Sequence, residues 1–266
     1  MPSPLLITPR QLARLVGLAD APHVIDICLA EDFALDPRLV PGAVRHPFDR
    51  IEELLPALAD HRVVVACQKG LKLSQGAAAL LRTHGVEAEA LEGGVQAWAA
   101  ADLPMVKASA IPPSRPSGET LWVTRHRPKI DRIACPWLVR RFVDRRARFL
   151  FVEPSEVLSV AERFGATAFD VEDAPFGHNG AHCTFDAMLD AFTLRTEALD
   201  RVARIVRAAD TDAHHDAPEA AGLLAISVGL SRTHRDDAAQ VEAGLPIYDA
   251  LYRWARDGYA EGHSHP

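Results

Sequence analysis

The 266-residue chain contains no Cys-x-x-Cys pair, and its four cysteines (Cys28, Cys67, Cys135, Cys183) are widely separated. That usage argues against a zinc ribbon and against a disulfide framework, leaving each thiol as a buried apolar group or a reactive one. No apolar run approaches the roughly 18–20 residues needed to cross a bilayer, so no membrane partner is expected. Met1 to Ile7 has neither the basic start nor the long apolar core of a secretory signal, and a cytoplasmic location is the expectation. A basic surplus is also missing: 29 Lys plus Arg face 36 Asp plus Glu, a net charge of −7. This balance argues against nucleic acid as a partner while leaving a local basic patch open. No repeat at solenoid spacing is present. What remains, 48% hydrophobic and 24% charged residues, is the make-up of an ordinary folded protein and excludes a disordered or collagen-like one.

A length above the roughly 100–200 residues of one domain points to two. The stretch from Val106 to Gly118 holds three prolines and no apolar periodicity, and reads as an extended connector or a long surface loop. The domain boundaries expected are 1–106, a linker at 107–118, and 119–266. In the first part, strand patterns at His23–Cys28, Arg62–Ala66 and Val86–Leu91 alternate with helical ones at Pro9–Leu18, Ile51–Ala59, Gln75–His84 and Gly93–Trp98. Thr8-Pro9 supplies an N-cap and a first-turn proline. Such alternation predicts an α/β domain with a mainly parallel sheet covered on both faces.

Cys67 follows directly on the Arg62–Ala66 strand, and Gln68-Lys69-Gly70-Leu71-Lys72 leads into the next helix. A short loop entering a helix can turn successive N–H groups inward and form an anion-binding concavity. A sulfur there meets amide donors, the helix dipole and two lysines, all of which favour a nucleophilic thiolate. Spacing alone leaves a buried structural cysteine equally open.

Residues from about 5 to 105 resemble a single rhodanese-like domain. The resemblance rests on Val24-Ile25-Asp26, Leu39-Val40-Pro41-Gly42-Ala43, the six-residue loop Cys67–Lys72, and Leu91-Glu92-Gly93-Gly94-Val95-Gln96-Ala97-Trp98, in that order. It implies sulfurtransferase chemistry: Cys67 takes a sulfane sulfur from a donor such as thiosulfate, becomes a persulfide, and passes the outer sulfur to a thiol or another acceptor. Gln68, Lys69, Gly70, Leu71 and Lys72 would then cradle the sulfur, with Lys69 holding an anionic donor and Asp26 belonging to the substrate-binding set. No cofactor is required for that transfer. After Asp26 the family often has Val-Arg, whereas this chain has Ile27-Cys28, which removes an expected brace of the loop. Cys28 reads as a core residue or as a resolving thiol.

The second part has strand patterns at Leu121–Thr124, Ala147–Val152 and Ala166–Val171, and helical ones at Ile133–Asp144, Pro154–Phe164, Cys183–Ala191, Glu197–Ala209, Glu219–Leu230 and Asp237–Arg256. A mainly helical α+β domain is expected. Potential metal ligands gather in three segments: His126, Asp131 and Cys135; Asp170, His178 and Cys183; and Asp210. These seven are the candidates for a transition metal, and caps and solvated turns are the competing reading. His178 and His182 have i, i+4 spacing, but Asn179-Gly180 disfavours a helix between them. His263 and His265 in the tail could bind metal weakly.

This part resembles the chromate-resistance family through its ChrB-type C-terminal domain, over about 120–256. The resemblance is carried by Arg127–Leu138, by Phe176–Asp186 and by Pro218–Ser227. It implies a role in handling chromate, a related oxyanion or redox stress. Two functions follow as expectations: a cytoplasmic sulfurtransferase linked to oxyanion stress, or a non-catalytic sensor that binds an anion, a metal or a redox signal. The partners expected are a small-molecule or thiol sulfur donor, its acceptor, and chromate or another oxyanion.

Overall fold

The computed structural model describes residues 5–262; the tail histidines His263 and His265 lie outside the described residues. The chain divides into two compact units, Met1–Ile111 with Arg141–Arg145, and Pro112–Arg140 with Arg146–Pro266.

In the first unit the order is β1 (Leu6–Ile7), α1 (Pro9–Ala13), β2 (His23–Asp26), α2 (Ala30–Leu35), β3 (Arg38–Leu39), β4 (Val44–Arg45), α3 (Leu55–Leu58), β5 (Arg62–Ala66), α4 (Lys72–Thr83), β6 (Glu87–Leu91), α5 (Gly94–Ala100) and β7 (Val106–Lys107). The main sheet runs β1-β6-β5-β2-β4, and every pair in it is parallel. Val63, Val64, Val65 and Ala66 are at most 1% exposed, so β5 is covered on both faces. That burial explains its continuous apolar run. Helix α4 buries Ser74, Ala77, Ala78 and Leu81, the i, i+3, i+4, i+7 stripe of a core-facing helix.

The α/β fold matches expectation, with local differences. Past Ala13 the α1 ladder gives way to three-residue bonds such as Arg14 N–H to Gln11, and Gly17 turns left-handed, so the helix stops short of Leu18. The segment expected as one helix at 51–59 is a tight 3₁₀ run, Phe48–Leu54, followed by α3, which has Pro56 in its first turn. Proline has no N–H to continue a ladder from the preceding turn. Val106-Lys107, at the head of the proline-rich stretch, pairs antiparallel with β3.

The second unit contains β8 (Leu121–Arg125), α6 (Asp131–Phe142), β9 (Arg148–Val152), α7 (Val157–Phe164), β10 (Thr167–Ala168), α8 (Thr184–Ala191), α9 (Glu197–Asp210), α10 (Glu219–Thr233) and α11 (Asp237–Arg253). A three-stranded parallel sheet, β10-β8-β9, sits among the helices. On α9, Leu199, Val202, Ile205 and Val206 are at most 1% exposed, the stripe its sequence predicts. β10 is shorter than the Ala166–Val171 run suggests because Asp170 adopts φ +55° and leaves the strand. Among the described residues no helix is long and apolar enough to cross a membrane.

Leu81 is fully buried against β5 and β6. Leu81→Ala is expected to destabilise the first unit by about 2–5 kcal/mol, read as faster hydrogen exchange of the Val63–Ala66 amides.

Candidate active site and a second polar cluster

Cys67 lies at the carboxyl end of the central strand β5, where open parallel sheets present their loops. The path of the loop is set by where its carbonyls go. Val95 N–H donates to the Cys67 carbonyl and Gln96 N–H to the Gln68 carbonyl, each at 3.0 Å, from the first turn of α5. The Gln75 side-chain amide donates to the Gly70 carbonyl at 3.0 Å. With those oxygens tied back, N–H groups are free to face the sulfur. The close approach requires two glycines. A Cβ on Gly94 (φ +63°) would lie 2.2 Å from the Cys67 carbonyl oxygen, and one on Gly70 (φ +68°) 2.4 Å from that of Leu91.

The Cys67 sulfur lies 3.2 Å from the hydroxyl of Ser74, which is 3.3 Å from the Leu71 carbonyl. The one hydroxyl hydrogen can therefore turn to Leu71 when sulfur holds its proton and to sulfur when it does not. Burial pushes the Cys67 thiol up, but the Ser74 hydroxyl and the N–H groups of Ser74, Leu71 and Lys69 outweigh it, and the thiol lies below its ordinary value. The leading causes of this lowering are fixed hydrogen bonds and not the lysine charges.

A cavity of about 530 Å³ opens over the sulfur, lined by Gln68, Lys69, Leu71 and Lys72 among others. Both lysines are exposed, whereas Gly70 is buried under the loop. Cys28 lines the same cavity. Burial and the Asp26 carboxylate push its thiol well up, so it stays protonated beside the lowered Cys67. Asp26, 1% exposed, accepts the Cys28 N–H at 2.9 Å and faces Arg45 at 3.7 Å. Its Oδ2 has no hydrogen-bond partner, and burial holds this carboxyl above its ordinary value. Arg45 also donates to the Cys28 carbonyl at 2.8 Å. An arginine from β4 thus ties down the Asp26–Cys28 segment, a role the sequence around Ile27 leaves empty. Ser74 and Arg45 escape a motif reading; the signal for Ser74 is a polar residue on the buried stripe of α4.

In the second unit members of all three ligand-rich segments meet at a single point, one from the first, two from the second and one from the third. His178 Nε2 lies 3.7 Å from Asp131 Oδ2, 3.3 Å from Asp170 Oδ1 and 3.2 Å from Asp210 Oδ2. Asp131 and Asp170 are 1% and 4% exposed. Asp131 accepts the Thr184 and Phe185 N–H groups at 2.7 and 3.1 Å, the first amides of α8. Asp170 Oδ1 accepts the Thr184 hydroxyl at 3.1 Å, while Arg125 and Arg132 reach its Oδ2 at 2.8 and 3.1 Å. Burial, then the Asp210 and Asp170 carboxylates, push Asp131 well up; burial, then Asp170, push Asp210 up. Asp131, Asp170 and His178 offer ligand atoms within 4.8 Å of one another, a spacing that could hold a metal ion.

The approach to Asp131 is strained. Arg127 and Ile130 have φ of +53° and +40°, and the left-handed region is costly for a β-branched side chain. Buried polar groups of α10 and α11 hold the segment: Ser227 accepts the Ile130 N–H at 3.0 Å, Tyr248 donates to the Ile130 carbonyl at 2.8 Å, and Gln240 bonds the Pro128 carbonyl. Of the other candidates, His126 lies elsewhere, while Cys135 and Cys183 border the cluster as protonated thiols. His126 pairs with Glu153 at 3.2 Å, and Cys183 heads α8 beside Asp186. Cys135 is buried 3.6 Å from Asp131 Oδ1. Burial and Asp131 push both of these thiols up, which keeps them protonated.

A profile of the ChrB C-terminal domain matches residues 122–255, and one of the rhodanese-like domain matches residues 8–101. Protein ChrB of Cupriavidus metallidurans is 35% identical over 133 residues, 49% of this chain and 39% of that protein, so the chain spans about two fifths of this relative. Among solved structures, a rhodanese-related protein from Thermoplasma volcanium is 23% identical over 38% of this chain and 95% of its own, with a TM-score of 0.33. A thiosulfate sulfurtransferase from Pseudomonas aeruginosa is 30% identical over 38% of this chain and 19% of its own, with a TM-score of 0.34.

A lowered thiol keeps its thiolate at lower pH, so Cys67 is expected to alkylate faster than Cys28 at neutral pH and to lose reactivity only as pH falls through its own depressed value. Ser74→Ala removes one stabilising donor and should move that profile to higher pH, as followed by iodoacetamide rates and mass spectrometry. Gly94→Ala should abolish rapid alkylation and destabilise the first unit by about 2 kcal/mol or more.

Proposed function

Because the chain belongs to the ChrB C-terminal domain family and carries a rhodanese-like domain ahead of it, we propose that it is a sulfurtransferase in which Cys67 carries a persulfide in the service of chromate or oxyanion resistance. The observation that supports this most is the ring of inward donors on the Cys67 sulfur, which lowers the thiol despite its burial. A thiolate in such a ring attacks the outer sulfur of thiosulfate. The new S–S bond forms as the old one breaks, and sulfite leaves with the bonding pair. The terminal sulfur of the persulfide then carries the negative charge. An acceptor thiolate, or cyanide in the assay, takes that sulfur and returns Cys67 to a thiolate. No redox cofactor enters these two steps.

Lys69 and Lys72 at the cavity mouth supply the charge that draws a dianionic donor in. Lys72 offers a point charge where an arginine would offer a planar fork, which suits a donor that must leave again. Chromate and sulfate share the tetrahedral dianion shape of thiosulfate, so the same mouth would accept them. Chromate also oxidises thiols, and a supply of reduced sulfur opposes that damage. A location in the cytoplasm, where thiol acceptors are reduced, belongs to the same reading.

The full chain should transfer sulfur from thiosulfate to cyanide, and Cys67→Ser should fall to the uncatalysed rate. Lys69→Ala should raise KM for thiosulfate about tenfold and spare kcat, because the ammonium holds the anion equally before and during the chemical step. Sulfate, which does not oxidise thiols, should raise the apparent KM and leave kcat unchanged. Absence of turnover with several sulfane donors, while Cys67 still alkylates rapidly, would overturn the catalytic reading. Turnover insensitive to saturating sulfate would remove the shared-anion part alone.

A further inference from the structure

We propose that Asp131, Asp170, His178 and Asp210 form a binding site for one first-row divalent metal ion, of which Mn²⁺ and Zn²⁺ are the practical probes. The inference is independent of Cys67, since all four residues belong to the second unit.

The spacing of the donors is the first argument. Ligand atoms held at about 2.0–2.2 Å from one ion lie about 3 Å apart on adjacent positions and about 4.3 Å apart on opposite ones. His178 Nε2 stands 3.2, 3.3 and 3.7 Å from one oxygen of each of the three carboxylates. One ligand atom from each of Asp131, Asp170 and His178 can be chosen so that all lie within 4.8 Å of one another. An imidazole added to three carboxylates distinguishes this set from a merely acidic patch. It also shifts the preference away from purely oxygen-seeking Mg²⁺ and Ca²⁺ and toward Mn²⁺, Fe²⁺ and Zn²⁺.

The second argument is charge. Both guanidinium groups at the cluster, Arg125 and Arg132, are spent on Asp170 Oδ2. Among the described residues neither Asp131 nor Asp210 forms an arginine or lysine salt bridge; the His178 ring reaches both, and Arg132 acts on them only from its place on Asp170. Three carboxylates thus share two guanidinium groups, and a dication at their centre would offset the charge left over.

The third argument is orientation and access. The Asp131 oxygens are fixed by two amides of α8, and Asp170 by the Thr184 hydroxyl and two arginines. Metal-ligating carboxylates are held by outer contacts of this kind. Asp170 and His178 open onto a cavity of about 730 Å³ that Arg125 also lines. An ion can therefore enter, and its remaining positions face water or a small anion.

The test uses the full chain carrying His263→Ala and His265→Ala, so that tail imidazoles contribute nothing, stripped with EDTA and dialysed against Mn²⁺ or Zn²⁺ alone. About one equivalent should bind. His178→Ala and Asp210→Asn, both at solvent-accessible positions, should each weaken binding at least tenfold and leave the metal-free melting temperature within a few degrees of the parent. Cys67→Ser should leave binding unchanged, which separates this site from the sulfur-transfer reading. On the chain without site variants, Mn²⁺ should broaden the His178 ring signals selectively. No stoichiometric uptake of either metal, or uptake unaffected by both variants and without broadening at His178, would overturn the site.

Discussion

A buried ionisable group held by amides at or just ahead of the start of a helix is the constraint that both units share. In the first unit that group is the Cys67 sulfur at the entry to α4; in the second it is the Asp131 carboxylate at the entry to α8. N–H groups at a helix start have no partner within the helix, and their dipoles point the positive end outward. An anion therefore finds donors there that nothing else competes for. The surrounding backbone must bend to deliver it, and both units show the bend. Gly70 and Gly94 turn left-handed around Cys67, and Ile130 is held at φ +40° beside Asp131.

The same device leads to opposite protonation preferences, and the balance of forces explains why. Cys67 has a hydroxyl and three amides aimed at one atom and no carboxylate against it among its leading influences, so donors outweigh burial. Asp131 has two amides, complete burial, and two further carboxylates within reach of the same imidazole, so burial and repulsion win. The first arrangement favours a thiolate. The second is a cluster whose carboxylates ionise together only at a cost. Cys28 marks the border between the two regimes: it shares the Cys67 cavity, yet it stands over a buried carboxylate and not over amides, and its thiol is pushed up.

Much of this is legible in the residues because it is local. The apolar run of β5, the loop that follows it, the Gly93-Gly94 turn and the stripe on α9 are each written within one window of sequence. The strands that escape such a reading, β1, β3, β4 and β7, have two residues apiece and exist only through their pairings. Two residues carry no period. Without β4, nothing in the sequence places Arg45 beside Asp26, and the missing arginine after Ile27 reads as an absent brace. The three ligand-rich segments of the second unit are equally plain, but not which members face one another. For Asp131 the placement is supported from far away in sequence, by Ser227, Gln240 and Tyr248, which fix the turn before it.

Those distant contacts also explain why the second unit devotes so many buried polar atoms to one short segment. A left-handed isoleucine persists only where surrounding bonds over-determine it. Ser227 and Tyr248 bond the Ile130 N–H and C=O, Gln240 bonds Pro128, and Ser231 accepts from the Arg127 guanidinium. These bonds go to the segment ahead of α6 and fix the direction in which that helix begins. The direction decides where Asp131 stands relative to the α8 amides, and those amides decide which of its oxygens turn toward His178. Strain at Ile130 is thus offset at α10 and α11 and expressed at the cluster, which makes two helices that supply no member of the cluster part of what shapes it.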